Sequence, residues 1–152
     1  MLFLMVMLSI AGGGLLSIQA AINGQLGRSA GALYATFINF FVGTVLSVLL
    51  VIFLEPEHQQ TLVDVPKWQL TGSLFGILYI LLMIFAVQKI GTAVATVGVI
   101  LGQLGMSMCV DTLGLFGNEI IPLSPNRIGA LFLLTIALYF IYSSDQKNTV
   151  NE

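Results

Sequence analysis

Five long, almost uninterrupted apolar runs govern what this chain can become. They cover Leu2–Ile22, Leu33–Leu54, Trp68–Val87, Thr92–Val110 and Asn126–Ser143. Each approaches the roughly 20 helical residues needed to cross a hydrocarbon core of about 30 Å. The rest of the chain cannot cover them, because 57% of the 152 residues are hydrophobic and only 8% are charged. A soluble domain carries roughly a quarter charged residues on its surface. With a mean hydropathy of +1.01, most of this surface must face lipid. Lipid offers the backbone no hydrogen-bond partners, so continuous apolar runs of this length are expected to be α-helices. The expected fold is all-α, a polytopic membrane bundle of five transmembrane helices. No Lys or Arg precedes the first apolar run as a secretory leader requires, so that run is read as a span.

The charges fall between these runs. Arg28 lies in the first link, Glu55, Glu57, His58, Asp64 and Lys67 in the second, and Lys89 with Gly91 in a very short third. That third link makes helices three and four antiparallel neighbours. Glu119, Pro122 and Pro125 mark the fourth, where Ser124 is a fitting N-cap and Pro125 a fitting first-turn residue. Trp68 and Tyr142 fall at expected interfaces. Residues 1–144 thus form one transmembrane domain and 145–152 a polar C-terminal tail. With five spans, Arg28, Lys89 and Lys147 share one side of the membrane, and Lys67 and Arg127 the other. This small excess favours a C-terminus inside and leaves insertion in both orientations open. An odd number of spans also excludes a complete inverted repeat within one chain. Many transporters surround a midplane site with two inverted halves, so an antiparallel dimer is expected to complete the bundle.

Polar side chains at lipid depth are costly without partners or water, so their positions carry information. Gln19 and Asn23 lie one helical turn apart on helix one, and Asn39, Gly43 and Ser47 form a similar stripe on helix two. Gln103, Ser107 and Asp111 form a third on helix four. Gly91, Ala95, Gly98, Gly102 and Gly105 make a small-residue seam nearly opposite that third stripe, at about 100° per residue. One face of helix four can therefore pack closely while the other looks toward polar space. Gln19, Asn23, Asn39, Gln103 and Ser107 are the candidate solute-binding residues, and interhelical hydrogen bonding is the alternative use of the same groups. Asp111 is a candidate for proton or cation coupling, or a helix-end residue that reaches water. Gly72 and Gly76 add a small-xxx-small packing pair on helix three.

Other chemistries find no support. The chain has no nucleotide-binding loop, no metal-spaced His/Cys cluster and no nucleophile with a base, so neither an enzyme nor a cofactor or metal is expected. His58 is read as a solvated loop side chain, and Cys109 as a small hydrophobe within a helix. The net charge of -2 gives no basic patch for nucleic acid.

The segments Gln19-Ala20-Ala21-Ile22-Asn23-Gly24-Gln25-Leu26-Gly27, Phe40-Phe41-Val42-Gly43-Thr44, Gly102-Gln103-Leu104 and Asp111-Thr112-Leu113-Gly114-Leu115-Phe116-Gly117 together resemble the YdcZ family of small bacterial membrane proteins, within the drug/metabolite transporter superfamily. The resemblance implies five spans in the bacterial cytoplasmic (inner) membrane. It also implies antiparallel pairing, as dual-topology homodimers, oppositely oriented paralogues or fused copies. Related small multidrug resistance proteins use a glutamate in the first helix to exchange protons for cationic drugs. This chain carries only neutral Gln19 and Asn23 there, so such coupling carries over only if Asp111 has taken that role. The leading expectation is a secondary transporter subunit that moves a small metabolite or drug-like solute by alternating access. A dual-topology dimeric ion channel and a non-transporting membrane assembly subunit are the alternatives.

Overall fold

A computed structural model describes residues 1–55 and 65–150, with residues 145–150 described by their backbone alone. Glu57, His58 and Asp64, singled out in the sequence, lie outside the described residues, as does the side chain of Lys147. The chain forms two compact units, Met1–Lys89 and Ile90–Glu152.

The first unit opens with α1 (Leu2–Ala30) and α2 (Ala32–Leu54), separated only by Gly31. This residue has φ 91° and ψ 147°, a conformation that glycine adopts without a Cβ clash. Its N–H still donates to the Gly27 carbonyl at 3.0 Å, so α1 is capped as the chain turns. α1 continues about two turns past Ile22, where its apolar run ends. Gln25 and Arg28 are exposed on those turns and linked at 3.3 Å, so they extend the helix while remaining solvated. A short 3-10 turn, Lys67–Thr71, then leads into α3, Gly72–Leu113.

α3 covers 42 residues and joins across a kink two helical stretches, which hydropathy reads as separate spans. Its regularity breaks at Gly91, with φ 75° and ψ 166°. Residues 72–89 belong to the first unit and the remainder of α3 to the second. Among the described residues four helical stretches are long and apolar enough to cross a membrane: Leu2–Ala30, Ala32–Leu54, Lys67–Leu113 and Pro125–Ser144.

In the second unit α3 ends at Leu113, and Gly114 follows in the left-handed conformation common just beyond helix C-termini. A 3-10 turn, Leu115–Gly117, contains Phe116 at φ 62°. α4 spans Pro125–Val150 and continues through part of the expected polar tail. Its start is capped by Ser124, whose Oγ accepts the Arg127 N–H at 3.3 Å.

Little of this chain is buried within itself. Every α2 residue from Phe41 to Leu54 is exposed, as are large apolar side chains along α1, α3 and α4. Such a surface is stable only against lipid or another apolar partner. The small core of the first unit centres on Ala35, Ile80 and Ile84, with Leu26, Phe40 and Tyr79 packed against it. Several hydroxyls at lipid depth are satisfied locally: Ser9, Ser17, Thr36 and Thr135 each donate to the carbonyl four residues earlier, so these four groups need no ligand, whereas the buried hydroxyls of Thr96 and Thr112 have no partner among the described residues.

Candidate functional site

The helix amides behave differently from those hydroxyls, because they reach across to another helix. Gln19 Nε2 and Asn23 Nδ2 both donate to Asn39 Oδ1, each at 3.0 Å. Gln19 and Asn23 share a face of α1 because they are one turn apart. Asn39 meets them because the chain reverses at Gly31, and Asn23 and Asn39 are equally far from that residue. Asn23 is only 6% exposed, whereas Gln19 and Asn39 are half-buried. An interhelical hydrogen bond of this kind contributes on average about 0.6 kcal/mol and at most about 1.7 kcal/mol in a membrane protein. Two bonds to one oxygen fix the orientation of all three amides.

Gln19 and Asn39 of this cluster form the head of an open groove of about 550 Å³, lined by Gln19 of α1 and otherwise by residues of α2. Gln19 and Asn39 provide its polar end. The stripe Asn39, Gly43 and Ser47 forms one wall, joined by Phe40, Thr44 and, farther along α2, Val51. Among the described residues, no ionisable side chain lines this groove. Asn23 lies behind it and borders a very small cavity shared with Tyr79 and Met83.

Three candidate binding residues, Gln19, Asn23 and Asn39, therefore come together in the first unit. Gln103 and Ser107 belong to the second unit, where both are exposed and make no hydrogen bond among the described residues. Asp111 lies in the last turn of α3, and Arg127 Nη1 donates to its Oδ2 at 3.0 Å. Hydropathy places both residues near helix ends but does not pair them. A separate, apolar groove of about 350 Å³ in this unit is lined by Gly105, Met108, Cys109 and Thr112, together with Leu123 and Leu131. Among the described residues, no group of three His, Cys, Asp or Glu is placed to hold a metal ion.

The candidate packing residues divide similarly. A Cβ on Gly76 would meet Phe40 Cζ at 3.3 Å, and Ala95 is buried. A Cβ at Gly72, Gly91, Gly98, Gly102 or Gly105 would meet nothing within 4 Å. The closest helix approach is elsewhere. A Cβ on Gly24 would lie 2.5 Å from Val87 Cγ1, and one on Gly27 would lie 2.5 Å from Ile84 Cγ2. Ala20, Gly24 and Gly27 are all buried, with the same four-then-three spacing as the seam recognised on α3. That spacing in the sequence could have identified this seam too.

A family model described as "Putative inner membrane exporter, YdcZ" matches residues 4–140, nearly the whole chain. No curated protein and no solved structure matches the sequence. With its apolar helices open to lipid and its family match running from the first helix into the last, this chain belongs to the YdcZ family and is a multi-pass protein of the inner membrane.

Proposed function

We propose that this chain is one subunit of a secondary transporter that exports a small metabolite or drug-like solute by alternating access in an antiparallel dimer. The observation that carries this reading is the convergence of Gln19 and Asn23 on Asn39 at the head of an open groove. Amides placed there can bind solute without a permanent charge in the bilayer. The family description, an inner membrane exporter, supports transport and its outward direction.

In this reading α3 crosses the bilayer twice. Its 42 residues are about twice the 20 or so that one crossing needs, and Gly91 provides a break between two apolar halves. Five crossings result, and an odd number lets a second copy of opposite orientation supply the inverted half. Lys and Arg on the two sides are then nearly balanced, which favours insertion both ways. Asp111 serves chiefly as the partner of Arg127, while Gln103 and Ser107 remain candidate solute contacts on the polar face of the second unit.

The test is accumulation of a panel of labelled metabolites and drug-like solutes in cells expressing wild type or Asn39→Ala at equal membrane levels. Wild-type cells should retain at least one solute several-fold less than Asn39→Ala cells. Equal retention of every solute would overturn the reading.

A further inference from the structure

The polar end of the groove has an uncommon property, because its hydrogen-bonding capacity is partly spent inside the protein. Asn39 Oδ1 accepts from both Gln19 and Asn23. Both residues line the groove, and among the described residues the Asn39 Nδ2 amine, a donor, and Gln19 Oε1, an acceptor, are left without a partner. Turning the three amides over together would exchange these roles and still leave one donor and one acceptor. Asn23, buried behind Asn39, keeps that pair oriented. Beyond the head, the described wall is uncharged, with the hydroxyls of Thr44 and Ser47 followed by Val48, Val51 and Ile52.

We infer that the solute is an uncharged amphipath whose head offers a hydrogen-bond donor and acceptor side by side, as in an amide or urea, and whose tail is apolar. This rests on the groove being the transport site. A cation or carboxylate would have to leave water with no counter-charge among the described residues of the groove, at a cost far above that of a neutral head whose two hydrogen bonds are matched. Asn39 and Gln19 bind the head, whereas Asn23 is a positioning residue that acts through Asn39. Such a solute carries no charge of its own through the groove, so any response of its uptake to the membrane potential reports a coupled ion.

Three probes on one alkyl-aryl scaffold distinguish the possibilities: a primary amide, the corresponding ammonium and the corresponding carboxylate. Binding is measured on the full chain in nanodiscs, and uptake in liposomes with and without an imposed potential. The amide should bind and move saturably, at least tenfold better than either charged probe with or without the potential. Asn39→Asp replaces the neutral head group with an acceptor-only anion and should shift preference at least tenfold toward the ammonium probe. Asn23→Leu should raise KM several-fold with little change in kcat, and Asn23→Gln should restore part of that loss. Each variant is compared at matched oligomer size.

Saturable uptake of a charged probe in preference to the amide would overturn the solute class and leave the transport reading intact. Selective amide binding with no uptake of any probe would support the solute class and overturn transport. Neither binding nor uptake of any of the three probes would overturn both. Disulfide crosslinking through Ser47→Cys between two copies, undiminished by the amide probe, would show that a second copy fills the groove and would overturn the inference.

Discussion

Arg127 Nη1 lies 3.0 Å from Asp111 Oδ2, while the backbone carbonyl of the same Asp111 accepts the Ile121 N–H at 2.9 Å. One residue therefore ties both the start of α4 and the connecting loop to the end of α3. The partly exposed pair is screened by solvent, so its coupling is expected to be modest, about 1 kcal/mol. Thermal unfolding of Asp111→Asn, Arg127→Gln and the double variant in detergent tests this. The two losses should be less than additive, and strict additivity would show that the contact contributes nothing.

The close approach of α1 to the first half of α3 makes Gly24 and Gly27 sensitive to a single methyl group. A Cβ at either position meets Val87 or Ile84 at 2.5 Å, so Gly24→Ala and Gly27→Ala should each destabilise the protein by about 1–3 kcal/mol through overpacking. A Cβ on Gly13 would meet nothing within 4 Å, and Gly13→Ala should stabilise by about 0.5–1 kcal/mol through helix propensity. Unfolding midpoints in one detergent would give the order, and equal midpoints for all three variants would contradict the packing.

Gly91 is sensitive for a different reason. Space is available around it, but φ 75° with ψ 166° belongs to a region essentially reserved for glycine, and another residue there costs about 1–3 kcal/mol. Gly91→Ala should therefore destabilise the protein, whereas Gly98→Ala, in regular and open helix, should be neutral or stabilising. A destabilised Gly98→Ala beside an unaffected Gly91→Ala would contradict the observed break.

These residues also show what could be read from the sequence. The apolar runs locate the helices because lipid compatibility depends on composition over about 20 residues. Their ends are less legible: Gln25 and Arg28 lower hydropathy without interrupting α1, since an exposed polar side chain does not break a backbone hydrogen bond. The spacing of Gln19 and Asn23 identifies a face, but Asn39 becomes their partner only through the reversal at Gly31. Asp111 and Arg127 are separated by a loop whose path depends on Gly114, Phe116 and Gly117, all with positive φ. No helical periodicity encodes that pairing. The Gly24 and Gly27 seam was legible in principle, but there the small residues are interleaved with Asn23 and Gln25, which draw attention to polarity.

Antiparallel assembly predicts a distinct outcome for the C-terminus. Fusions to one reporter active only in the cytoplasm and another active only outside should both give signal from the single gene. Signal from one side alone would contradict a dual-topology homodimer. Reversing the charge at Lys89 to Glu should bias the two signals in opposite directions, because few basic residues set the balance.

The most direct test of the central claim is counterflow in liposomes containing only this protein. Vesicles preloaded with an unlabelled solute identified in the cellular panel should take up the labelled form transiently above equilibrium. That overshoot should saturate with solute and fall at least tenfold in Asn39→Ala at equal reconstitution. Uptake that reaches only equilibrium, never saturates and is unchanged by Asn39→Ala would contradict alternating access at the amide cluster.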